Sequence, residues 1–135
     1  MLVLDTSAAS AVMHGMDTAV ARLRTERPRD VILLSPVATE ILCGLGRLTR
    51  RSRRRRLLEA EYARLRGVVR FEDWSEAAAE EFGRQKARLS RMGTIIEDFD
   101  IAIGAAAVVL GARLATLNAR HMARLEGLAI EDWGA

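Results

Sequence analysis

Five short apolar runs separated by stretches with helical character narrow the fold more than any other feature of this chain. They are Leu2 to Leu4, Val31 to Leu34, Val68 to Phe71, Leu114 to Thr116 and Leu128 to Glu131. A run that is apolar at consecutive positions reads as a strand covered on both faces. Strands alternating with helices imply a parallel sheet between helical layers. The expected architecture is α/β, a three-layer α/β/α sandwich around a central, mainly parallel sheet.

The intervening segments carry the helix signals. Thr6 and Ser7 are capping candidates ahead of Ala8 to Met13, and a polar helix ends around Arg27 and Pro28. Ser35 reads as an N-cap with Pro36 in the first helical position, and Val37, Ile41, Leu45 and Leu48 form one apolar face. Thr49 to Arg66 reads as a basic helix with Leu57, Leu58, Tyr62 and Leu65 on its apolar side. Ser75 caps a helix running through Arg91, with Gly93 as its stop. Thr94 to Phe99 is a connector, and Asp100 opens a helix whose interior, Ala102 to Leu110, is apolar nearly all round and so belongs in the domain centre.

With 135 residues, 50% of them hydrophobic, the chain can bury one proper core, so residues 1–135 are expected to form a single domain. The longest apolar stretch, Ile101 to Ala112, is shorter than the roughly 18 residues a membrane span needs, and Met1 to Leu4 lacks the pattern of a secretory signal. A prokaryotic cytoplasmic location is expected. The single cysteine, Cys43, lies in an apolar helical pattern and reads as a core thiol in a reducing compartment. The net charge is only +3, yet all but Lys86 of the 21 basic residues are arginine. Guanidinium groups pair well with phosphates, so nucleic acid is a candidate partner, although a GC-rich coding bias gives the same composition.

In an open parallel sheet, ligands bind beyond the carboxyl ends of the strands. Asp5 follows the first strand, Glu40 lies one turn into the helix after the second, and Asn118 follows the strand ending at Thr116. Asp100 reaches the same edge if its helix starts there. Two carboxylates about 4 Å apart repel by roughly 4 kcal/mol at an effective dielectric near 20, so three sharing a pocket call for a cation or a proton. Oxygen donors without histidine or cysteine at ligand spacing favour magnesium or manganese over zinc. Such an ion suits phosphodiester hydrolysis. Each residue also has an ordinary reading. Asp5 can be a helix cap, Glu40 an acid favoured by the helix dipole, Asp98 the cap of the next helix, and Asn118 a turn residue.

Taken in order, the segments resemble a known family. Leu2-Val3-Leu4-Asp5-Thr6-Ser7, Ser35 to Gly44 with Glu40, Phe99-Asp100-Ile101-Ala102-Ile103-Gly104-Ala105-Ala106, and Leu114 to Asn118 with Arg120 and His121 are similar to the motifs of PIN-domain ribonucleases, specifically VapC-like toxins of type II toxin–antitoxin systems. The terminal Leu128 to Trp133 is similar to the family's closing tail. The resemblance implies a PIN-like fold and a magnesium- or manganese-dependent endoribonuclease, held inactive by a cognate antitoxin and often dimeric. It implies metal-binding roles for Asp5, Glu40 and Asp100. Where many relatives carry a fourth aspartate this chain has Asn118, with Asp98 as a candidate replacement, and Thr6 and Thr116 are candidates for holding the carboxylates in place.

Arg50, Arg51, Arg53 and Arg54 belong to an arginine run that reads as an RNA track, as part of an antitoxin-binding surface continuous with Leu57, Leu58 and Tyr62, or as a solvated helix face. His121 can touch a phosphate, but reads first as a surface or structural histidine. Other acidic α/β classes fit worse. A haloacid-dehalogenase-like phosphatase needs a second aspartate where Ser7 stands, and a receiver domain needs a lysine after a late strand, whereas Lys86 lies mid-helix. A PIN-like domain that binds RNA or a partner without cutting it, or a solitary RNA-processing nuclease, is the alternative within the same resemblance.

Overall fold

All five apolar runs become strands in the computed structural model, which describes residues 1–135: β1 (Leu2–Leu4), β2 (Val31–Leu34), β3 (Arg70–Glu72), β4 (Arg113–Thr116) and β5 (Ala129–Asp132). They pair in the order β3-β2-β1-β4-β5 with every neighbour parallel. Every residue of β1 and β2 is buried, which is why their sequences are unbroken apolar runs. The edge strands β3 and β5 carry charged and partly exposed residues, which discourages edge-to-edge pairing.

Seven helices flank the sheet: α1 (Thr6–Met13), α2 (Asp17–Arg24), α3 (Ser35–Gly46), α4 (Arg53–Val68), α5 (Glu76–Arg91), α6 (Asp98–Leu110) and α7 (Ala119–Met122), with a 3-10 turn at Pro28–Asp30. The chain builds outward from β1 through β2 to β3, then returns to the other side of β1 for β4 and β5. Right-handed crossovers then put the helices of the two halves on opposite faces. The packing agrees: α1 contacts α2, α3 and α4, while α5 lies along α6. The reversal point is the crevice between the carboxyl ends of β1 and β4, where α/β sheets hold their ligands. No helix is long and apolar enough to cross a membrane.

Several boundaries differ from the sequence-based expectation for local reasons. The basic helix starts at Arg53, because Ser52 caps it by accepting from the Arg55 amide at 3.1 Å. It continues to Val68, so β3 begins two residues later than the apolar run suggested. Helix α6 opens at Asp98 rather than Asp100. Ser35 does not cap α3, whose N-cap is Leu34. Its Oγ instead accepts from the Trp74 amide at 3.0 Å, and the Trp74 indole donates to the Ala102 carbonyl at 2.9 Å, fastening the β3–α5 connection to α6. Cys43, expected in the core, is exposed on α3.

Gly104 sets how closely α6 approaches the segment from Met122 to Leu128. A Cβ there would stand 2.2 Å from Leu125 Cδ1 and 3.6 Å from both Met122 Cε and Leu128 Cδ2. Leu125 and Met122 are themselves buried, so they have little room to yield. Gly104→Ala is therefore expected to cost about 1–3 kcal/mol by overpacking. Urea denaturation measures it, and an unchanged midpoint would contradict this account of the packing. Gly104 lies one turn after Asp100 on the same face of α6, the face on which Met122 and Leu125 pack.

Candidate active site

Asp5 ends β1 and caps α1. Its Oδ1 accepts from the Ala8 amide at 2.9 Å and from Ser7 Oγ at 2.6 Å. Ser7 Oγ in turn accepts from the Leu117 amide at 3.0 Å, so this hydroxyl ties the end of β1 to the segment after β4 across the crevice. Asp5 thus caps α1 through one of its two oxygens. Asp5 is only 4% exposed, and Oδ2 receives no hydrogen bond from the protein.

Asp100 faces Asp5 from the first turn of α6. Burial pushes its carboxyl above the ordinary aspartate range; hydrogen bonding and charge from His121 act in the opposite direction, and the charges of Asp5 and Glu97 push it up again. Asp100 Oδ2 lies 3.1 Å from His121 Nε2 on α7. His121, which the sequence suggested was a surface or structural residue, belongs to this site. The signal for it was its place three residues after Asn118, in the short helix α7 that follows β4.

Glu40 comes from the second turn of α3 and is half-buried. Its Oε1 accepts from Thr6 Oγ1, so the residue following Asp5 holds the third acid. Thr116 is fully buried at the end of β4. Its Oγ1 accepts from the Asn118 amide at 2.9 Å and lies 3.5 Å from Ser7 Oγ, bracing the turn. Asn118 occupies the N-cap position of α7, but its side chain makes no capping bond. Asp98 goes elsewhere: it is exposed and paired with Lys86 on α5, so the structure turns it away from the crevice.

A largely apolar cleft of about 230 Å³ starts at Thr6 and Glu40 and runs between α1, α3 and α4, with Met13, Leu48, Arg54 and Leu58 among its walls. Of the four arginines singled out in the sequence, Arg54 alone lines it. Arg50 and Arg51 are exposed in the turn before α4, and Arg53 is the exposed first residue of that helix. Arg55, in the same run, bonds the Leu48 carbonyl at 3.1 Å and pairs with Glu59 at 3.3 Å, fixing the α3–α4 corner.

The sequence pattern of the PIN domain matches residues 2–128. The chain belongs to the PIN domain family. No curated protein matches it significantly, but solved structures do. The toxin–antitoxin complex VapBC2 from Rickettsia felis, bound to a DNA fragment from its promoter, contains a chain 20% identical to this one. The TM-score is 0.87, with 98% of each chain covered. A chain of the DNA-bound VapBC complex from Salmonella typhimurium is 24% identical, with a TM-score of 0.86 over 98% of this chain and 97% of that one. VapC20 of Mycobacterium tuberculosis, described as a sarcin–ricin-loop-cleaving toxin, is 21% identical, with a TM-score of 0.67 over 96% and 99%. At such identities the likeness establishes the fold.

PIN nucleases use divalent metals, and the donors here suit a hard cation. They are carboxylate oxygens, one of them Asp5 Oδ2, which no protein donor engages, and Asp100 is a carboxyl that burial and a neighbouring negative charge disfavour as an anion. A cation between them would relieve both conditions. No three histidine, cysteine, aspartate or glutamate side chains of this PIN domain stand together at ligand spacing, so Asp5, Glu40 and Asp100 do not form one three-carboxylate cluster. The donor set therefore fits an ion held by few protein ligands and several waters, as magnesium usually is.

Proposed function

We propose that this PIN domain is a magnesium- or manganese-dependent endoribonuclease and the toxin of a type II toxin–antitoxin module, with Asp5, Glu40 and Asp100 as its acidic residues. The observation that carries this reading is the pair of buried or half-buried carboxylates, Asp5 and Asp100, at the reversal point of the sheet, with Asp5 Oδ2 left without a protein donor. When bound, a divalent cation supplies charge neutralisation, polarisation of a phosphate oxygen and activation of a water nucleophile.

The protein's part is positioning. Asp5 and Asp100 hold the cation, and the Ala8 amide and Ser7 hydroxyl fix the Asp5 carboxylate through Oδ1. Thr6 keeps Glu40 at the rim, where its carboxylate can orient a water against the phosphate. His121 restrains Asp100, and Thr116 braces the turn bearing Asn118. Removing a supporting group of this kind commonly lowers metal affinity or activity by about 10- to 100-fold. Purified protein freed of any bound partner is expected to cut RNA in magnesium or manganese and to stop on addition of EDTA. Cleavage that persists in EDTA, or none in either metal, would overturn the reading.

Antitoxin control has a natural place in the apolar cleft between α1, α3 and α4. A partner segment seated on Met13, Leu48 and Leu58 would end against Arg54 and Glu40, covering the site. A second copy of the chain is proposed to cover the exposed apolar residues Leu42, Ile95 and Phe99.

A further inference from the structure

An RNA strand is a polyanion, and the crevice that would cut it is lined by carboxylates. Binding therefore needs cations placed beside the acids, free to meet phosphates rather than engaged by the protein. Most of the arginines packed near the carboxyl end of α5 and the edges of the sheet are engaged: Arg84 by Glu81 and Glu126, Arg88 by Glu126, and Arg113 by Glu26 and Glu131.

A second, polar cleft of about 410 Å³ opens next to Asp100, with Asn118, Arg120, His121, Arg124 and Asp132 in its walls. His121 joins it to the acidic site, because the residue lines this cleft while its Nε2 sits 3.1 Å from Asp100 Oδ2. Arg120 and Arg124 are exposed, and neither side chain takes part in any ion pair or hydrogen bond within the protein. The one carboxylate in the walls, Asp132, is partly spent in accepting from the Gly134 amide at 2.8 Å. No exposed aromatic ring lines the cleft, so stacking on bases is absent and charge is what it offers.

We propose that this cleft is a phosphate subsite, in which Arg120 and Arg124 hold the RNA backbone on the Asp100 side of the bond to be cut. The proposal rests on the nuclease reading for the identity of the polyanion, but it is read out by binding alone. Arginine suits the task because its planar fork can grip two phosphate oxygens at once. Contacts of this kind set position and affinity without reading sequence.

The test measures binding of a fluorescein-labelled single-stranded oligoribonucleotide by anisotropy across a salt series, in an Asp5→Asn background to silence cleavage. Arg120→Ala/Arg124→Ala is expected to weaken binding about tenfold at 0.1 M salt and to lower the log–log salt slope by about 1.4, since each phosphate neutralised on a single strand contributes about 0.7. Arg120→Lys/Arg124→Lys should keep most of the slope. Arg27→Ala/Arg29→Ala, which removes the same charge from exposed positions at the amino end of β2, should leave affinity and slope near those of the parent. An unchanged slope in Arg120→Ala/Arg124→Ala, or an equal loss in Arg27→Ala/Arg29→Ala, would overturn the subsite, whether or not a protein partner binds there. Wild-type cleavage is scored separately. Cutting with undiminished binding in the double variant sinks only the subsite, and subsite-dependent binding without any cutting sinks only the nuclease.

Discussion

Asp100→Asn is expected to lower metal-dependent RNA cleavage by about 1000-fold or more while raising the melting temperature of the metal-free protein. The activity loss follows from removing a carboxylate proposed to hold the cation, since the transition-state charge stabilisation that a cation supplies is several kcal/mol and about 4 kcal/mol is a factor of 1000. The stability gain follows from the site itself. Burial first, and then the charges of Asp5 and Glu97, disfavour the Asp100 anion and outweigh its pairing with His121, so its folded-state pKa lies above the ordinary value of 3.8. A raised carboxyl pKa favours the folded state at pH values below 3.8, where the group is protonated. That contribution is lost as pH rises through the folded-state pKa, so at neutral pH the metal-free protein carries an unfavourable charge. The amide has no charge to bury, and a higher melting temperature in EDTA at pH 7 is expected. Adding magnesium should then stabilise the wild type and leave the variant nearly unmoved. A variant that still cuts RNA at the wild-type rate, or that still responds to magnesium as the wild type does, would remove Asp100 from the site.

That opposition between stability and function explains why the architecture was more legible in the sequence than the site. Strand identity comes from burial, and β1 and β2 are buried along their whole length, so their sequences carry the signal directly. The edge strand β3 starts later than its apolar run because Val68 and Val69 are apolar for different reasons: Val68 ends α4 half-exposed, and buried Val69 turns the chain toward the sheet. In the sequence Asp5, Glu40 and Asp100 read as a set because the first follows a strand, the second lies one turn into the helix after a strand and the third opens a helix. The structure sets Asp100 near Asp5, but no three acids stand together at ligand spacing. Their finer geometry was not legible, because it depends on contacts between residues far apart in the chain. Ser7 bonds Leu117, Thr6 bonds Glu40 and His121 bonds Asp100, and no local pattern encodes those meetings. Asp98 shows the same limit in reverse. Its place beside Asp100 made it a candidate ligand, yet two residues along a helix point to different sides, and Lys86 takes it.

Asp5 is the residue where the two readings of an acid after a strand, cap and ligand, can be separated by experiment. Its Oδ1 serves the fold, through the Ala8 amide and Ser7, and its Oδ2 has no protein donor to serve. Asp5→Asn keeps a carbonyl oxygen able to accept from Ala8, and asparagine is as good an N-cap as aspartate, so stability should change by less than about 1 kcal/mol. Cleavage should nonetheless fall about 1000-fold, because the amide contributes neither charge nor a second anionic oxygen. Asp5→Ala should lose cleavage to the same extent and in addition cost about 1–2 kcal/mol, by leaving the Ala8 amide and the Ser7 hydroxyl without their acceptor in a buried place. Urea denaturation and initial cleavage rates measured on the same preparations supply both axes. If asparagine destabilised the protein as much as alanine does, or if it preserved cleavage, Asp5 would be a structural cap alone. A fold kept by asparagine, lost in part by alanine, and inactive in both, is the pattern that one carboxylate divided between a helix and a cation requires.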